Sequence, residues 1–158
     1  MAEISEKLAP SLIAAVCTCL ENMAFMSVEL LSTEEECSAS GLRYSASLLV
    51  HDPIQGEMRL EMPEGVLGEI AGAIYSSPAA ELSARQRLDI LAELLNTIAG
   101  LFLTDLLPSD QDFRIGLPEV EEDTCATFEP PEGSWKFKTD YGAFCITING
   151  TNWSALTE

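Results

Sequence analysis

The run from Ser83 to Pro108 constrains this chain more than any other: it carries a helix start signal, a stop signal and no proline between them. Ser83 can accept hydrogen bonds from the free amides of a first turn. Gln86, three residues on, can reach back to complete a capping box. Pro108 ends the helix, because it has no N–H and its ring clashes with the turn before it. At ~100° per residue, Leu88, Leu91, Leu95, Ile98, Phe102 and Leu106 fall in one stripe. Ile90, Leu94 and Leu101 widen it on one flank, and Ala92, Ala99 and Leu103 on the other. The spacing predicts a long, largely buried helix.

A narrow polar strip remains. Asp89, Glu93, Asn96 and Gly100 are spaced by four, three and four residues, so they stack along one ridge, bordered by Thr97 and Thr104. A carboxylate and a carboxamide one turn apart on a rigid element make a two-pronged polar device. Gly100 costs ~1 kcal/mol relative to alanine in a helix interior, which makes sense where another backbone or ring must come close. Spacing alone leaves the ridge as a solvated helix face.

The pattern Asp89-x-x-x-Glu93-x-x-Asn96-x-x-x-Gly100, with Pro118 following Asn96 after 21 intervening residues, resembles the signature of the CheX/CheC/FliY phosphatases. The interval before the proline is about one residue shorter than the family's, and the resemblance covers nearly the whole chain. It implies hydrolysis of the aspartyl phosphate of a CheY-type response regulator, with Glu93 and Asn96 as the catalytic pair. Asp89, Gly100 and Pro118 are then partner-binding positions. The chemistry agrees. Water attacks phosphorus in line with the leaving carboxylate, and the regulator's own metal and lysine already hold the phosphoryl oxygens, so a phosphatase need only position the water. The Asn96 amide is uncharged and its oxygen can accept from that water. Glu93 would repel a phosphate and suits an ion pair with the regulator's lysine. Asp89 adds a rim contact felt in the on-rate, Gly100 gives clearance, and Pro118 shapes a neighbouring strand end. No metal ligands are expected on this chain, Mg²⁺ arriving with the phosphorylated regulator. The CheC and FliY branches typically repeat the motif on their first helix. Here Glu21 and Asn22 are adjacent, ~100° apart, so the chain looks like the single-site CheX branch.

Composition bounds the rest. At 158 residues the chain is expected to be one domain, residues 1–158, with the first nine and about the last eight residues frayed. A net charge of −18 argues against nucleic acid and anionic membrane, which also carry phosphate. It leaves Arg85, Arg87 and Arg114 as the cations placed to compensate near the helix. No apolar run reaches the ~18–20 residues of a membrane span, and the N-terminus lacks the features of a signal peptide, so the expected location is cytoplasmic. Five scattered cysteines and one histidine, His51, offer no metal-ligand spacing.

In chain order, residues 1–9 read as a polar lead-in and 10–24 as a helix with Pro10 at its first position. Strands follow at 25–32, 42–50 and 57–62, the last two a hairpin, with an acidic loop over 33–40 between the first and second. Pro63 opens a helix to about Tyr75, and a small-residue loop leads to the motif helix. Phe113, Ile115 and Leu117 alternate inward up to Pro118, an acidic connection spans 119–133, and Trp135–Phe137 and Phe144–Ile148 form a last hairpin. The fold class is α+β: two αβββ-like halves with helices packed on a largely antiparallel six-stranded sheet. Family members are often dimers joined through sheet edges, and the terminal hairpin is the candidate edge for a homodimer. Two other readings stand beside the phosphatase. One is a non-catalytic adaptor that keeps the docking ridge. The other is an unrelated acidic domain whose ridge is only solvated.

Overall fold

The computed structural model describes residues 2–31, 43–122, 133–150 and 153. In chain order it holds α1 (Ala2–Ala24), β1 (Glu29–Leu30), β2 (Arg43–Asp52), β3 (Gly56–Pro63), α2 (Glu64–Tyr75), a 3-10 turn (Ala79–Glu81) and α3 (Ala84–Leu106). β4 (Arg114–Ile115), β5 (Glu119–Glu122), β6 (Gly133–Thr139) and β7 (Gly142–Asn149) follow. All strand pairs are antiparallel. They form one seven-stranded sheet in the order β1-β6-β7-β3-β2-β4, with β5 pairing the same edge of β2 as β4.

Exchanging β1, β2 and β3 for β4, β6 and β7 leaves that order unchanged. The two αβββ-like halves are therefore interleaved about a pseudo-two-fold axis between β3 and β7, where Leu60 lies opposite Ile146. The axis stands normal to the sheet and turns α1 onto an antiparallel α3. The two helices, 23 residues each, pack against one another, α1 over β6 and α3 over β2. Alternation puts Tyr44, Ala46, Leu48 and Val50, Met58, Leu60 and Met62, and Phe144, Ile146 and Ile148 beneath the helices as the core.

Four expectations are corrected. The sheet has seven strands rather than six, because the acidic connection begins with β5, which pairs Glu119–Glu122 along Ser47–Tyr44. Three glutamates in four residues hide a strand from a hydrophobicity pattern, yet on an edge they stay solvated and discourage further pairing. The first helix begins at Ala2, with Pro10 inside it. Leu8 is fully buried, and that burial, about 1.5–3 kcal/mol, is of the order of the ~3 kcal/mol an interior proline costs. Of the strand expected at 25–32 only Glu29–Leu30 pairs, and Phe25 instead takes a left-handed backbone (φ 57°) as the chain leaves α1. Leu117 points out rather than in, 90% exposed, because β4 ends at Ile115.

The acidic loop at 33–40 and residues 123–132 of the connection lie outside the described residues. Near the C-terminus, Trp153 is fully buried against Phe102, ring centroids 6.2 Å apart, and its indole N–H donates to Asn149 O at 2.7 Å.

Candidate functional site

The motif helix is held at its start and along one side. Ser83 Oγ accepts from the Gln86 amide at 3.1 Å, and Gln86 Oε1 accepts from the Ser83 amide at 2.9 Å, completing the capping box. Ile90, Leu91, Leu94, Leu95, Ile98, Ala99, Phe102 and Leu103 are buried. Arg87 bridges the first turn to Glu64 of α2 at 3.3 Å and to the Ala79 carbonyl at 2.7 Å. A helix anchored this way cannot roll, so the direction of its outer ridge is set by the core.

On that ridge Asp89, Glu93 and Asn96 are exposed together, and Gly100 follows one turn on. A Cβ added to Gly100 would meet nothing within 4 Å. The clearance it provides therefore serves nothing among the described residues. The two carboxylates are treated differently. Asp89 is 3.6 Å from Arg85 Nε, four residues back, an exposed ion pair. Glu93 instead accepts from Thr97 Oγ1 at 3.5 Å, a neutral donor that leaves its charge in place. The Glu93 carboxylate is felt across the helix seam, where Cys19 of α1 is buried. Burial first, and then the charge of Glu93, push the Cys19 thiol up to about 12, so it stays protonated beside the acid.

Pro118 belongs to the sheet edge, not to the helix. β4 pairs β2 at Val50–Asp52 and β5 pairs it at Tyr44–Ser47, with residues 116–118 as the break between them. The Gly116 amide still reaches Leu49 O at 2.7 Å, but proline has no N–H to continue the ladder. Of the compensating arginines, Arg85 lies beside the ridge, Arg87 is committed to Glu64, and Arg114 pairs with Asp52 at the sheet edge, 3.4 Å away. A cleft of about 560 Å³, lined by Leu49, His51, Gln55, Glu57, Asn149 and Gly150, sits at the far end of the β2–β3 hairpin. It gathers none of the ridge residues. Among the described residues no group of three or more His, Cys, Asp or Glu could hold a metal ion, and no helix is long and apolar enough to cross a membrane. Sequence spacing missed Cys19, since only tertiary packing brings it to Glu93.

The acid–amide pair thus stands exposed on a core-anchored helix over an interleaved antiparallel sheet, outside the cleft at the hairpin end. The model of the chemotaxis phosphatase CheX matches residues 44–142, well over half the chain, and this protein belongs to that family. Solved structures share the fold at low identity. CheX from Vibrio vulnificus superposes with a TM-score of 0.71 at 21% identity, covering 90% of this chain and 95% of that one. CheX from Desulfovibrio desulfuricans gives 0.68 at 16%, covering 89% and 97%. The CheX–CheY–BeF₃–Mg²⁺ complex from Borrelia burgdorferi gives 0.60 at 16%, covering 89% and 96%. No curated protein matches the chain by sequence.

Proposed function

We propose that this protein hydrolyses the aspartyl phosphate of a CheY-type response regulator from a single site on α3. One observation carries the reading: in a chain of the CheX family, Glu93 and Asn96 stand exposed together on a helix the core cannot release. The relative crystallised with CheY bearing beryllofluoride and Mg²⁺ supports the choice of partner.

The Asn96 carboxamide enters the regulator's phosphorylated pocket without adding charge, and its oxygen accepts from the attacking water and holds it in line with the leaving carboxylate. Glu93, one turn away, pairs with the lysine of the regulator and fixes the approach angle. Mg²⁺ is held by the regulator. Gly100 leaves room for the partner's backbone, and Asp89, paired with Arg85, lies at the rim. Phosphoryl transfer to water asks mainly for positioning and charge stabilisation, so two correctly placed side chains suffice.

The test is the phosphoryl lifetime of CheY-type regulators with and without this protein. Asn96→Ala removes the acceleration, a drop of about 100-fold, while binding to the beryllofluoride–Mg²⁺ form is kept. Glu93→Ala weakens the complex itself. Equal phosphate release by wild type and Asn96→Ala overturns the catalytic reading and leaves a docking adaptor on the same ridge.

A further inference from the structure

We propose that Thr97 is a positioning residue: its hydroxyl holds the Glu93 carboxylate in register with Asn96 while leaving the charge of Glu93 for the partner. The inference rests on the phosphatase reading above and adds a residue to its machinery.

Each Cα–Cβ bond of a helix tilts toward the N-terminus, so a side chain covers the turn before its own. Glu93 left to itself leans toward Asp89, a like charge four residues back and a destabilising neighbour. Asn96 lies on the opposite, C-terminal side. For the acid and the amide to act as one two-pronged group, Glu93 has to be kept from swinging away from Asn96. Two contacts oppose that swing. Arg85 takes Asp89 at 3.6 Å and draws it toward the start of the helix. Thr97, leaning back by the same tilt, donates from Oγ1 to Glu93 Oε1 at 3.5 Å. The ridge is thus sorted into two i,i+4 pairs, Arg85 with Asp89 and Glu93 with Thr97, and the boundary between them falls where two carboxylates would otherwise meet.

The choice of donor matters. A lysine or arginine at 97 would orient Glu93 equally well but place a competing cation on it, as Arg85 does for Asp89. A hydroxyl contributes one donor and no charge. It occupies one of about four acceptor sites on the carboxylate and leaves the rest for a cation brought by the regulator. Across the seam, Cys19 is buried and uncharged and offers Glu93 no competing ion. Thr97 is also β-branched and half-buried, so its rotamer is restricted before the partner arrives.

The experiment compares Thr97→Val, which keeps the branch and volume and loses the donor, with Thr97→Ser, which keeps the donor. Two quantities are read for each. One is affinity for a CheY-type regulator carrying beryllofluoride and Mg²⁺. The other is the saturation curve of phosphoryl loss. Thr97→Val is expected to weaken binding and raise the half-saturating concentration by about three- to tenfold, with turnover at saturation within twofold of wild type. Thr97→Ser restores wild-type behaviour. In a Glu93→Ala background Thr97→Val has no further effect, because it acts only through that acid. Thr97→Val behaving as wild type, or an equal loss in the Glu93→Ala background, overturns the inference. Failure of the broader reading shows separately: there Asn96→Ala releases phosphate at the wild-type rate whatever stands at 97.

Discussion

Replacing Gly100 by alanine should make this protein more stable and worse at its task. The position lies in the interior of α3, where glycine is about 0.8–1.0 kcal/mol less favourable than alanine. Among the described residues nothing offsets that gain, since the new methyl meets none of their atoms within 4 Å. At this chain length ~1 kcal/mol raises Tm by about 2–4 °C, resolvable by circular dichroism melts and by urea titration at unchanged slope. The partner experiences the opposite. The methyl stands four residues past Asn96, ~6 Å along the axis, on the surface where the proposed function seats a regulator. An extra methyl in a packed contact typically costs about 1–3 kcal/mol, which is about a 5- to 150-fold loss of affinity for the beryllofluoride–Mg²⁺ regulator. The two signs are the signature. A lower Tm would show that the site is not open, and an unchanged Kd alongside a raised Tm would refute clearance as the reason for the glycine.

Two further outcomes follow from single features. Phe25→Gly should raise stability by about 0.5–1 kcal/mol, because a left-handed backbone is costly for phenylalanine and a side chain 86% exposed returns little burial; a fall in the urea midpoint would refute this. The Cys19 thiol, at about 12 in the fold against 9.0 for an ordinary thiol, binds its proton more tightly folded than unfolded, so its contribution is whole below pH 9 and is lost as pH rises toward 12. Urea titrations from pH 8 to 11 should show that decline in wild type and a shallower one in Cys19→Ala, and identical slopes would refute the assignment.

What could be read from the chain divides along physical lines. The motif helix was legible end to end because its signals are local: the Ser83–Gln86 box, the 3.6-residue stripe and Pro108 all act within a turn or two. Its polar ridge was legible for the same reason, and periodicity placed Asp89, Glu93 and Asn96 outward. The hairpins over 43–63 and 133–149 were legible from alternation and turn residues. The misses are of another kind. β5 reads as a loop because Glu119, Glu121 and Glu122 become a strand only when β2 offers its edge. Pro10 reads as a helix start because the burial of Leu8 is a tertiary fact. Leu117 alternates correctly on paper, but the break before Pro118 turns it outward. Cys19 meets Glu93 only once α1 and α3 are laid side by side.

The strand order carries one more consequence. β1 is held by β6, β3 by β7, and β2 by β4 and β5, so every strand of the first half that seeks a new neighbour finds it in the second. Among the described residues neither half has a sheet of its own beyond a bare hairpin, and a hairpin alone is marginal in water. The polypeptide must therefore be synthesised past residue 149 before its central ladder can close, and such distant pairing makes for slow, all-or-none folding. A nick between α2 and α3 would yield two fragments, neither holding the central β3–β7 ladder, that regain the sheet only by threading together, as two subunits of an obligate dimer do.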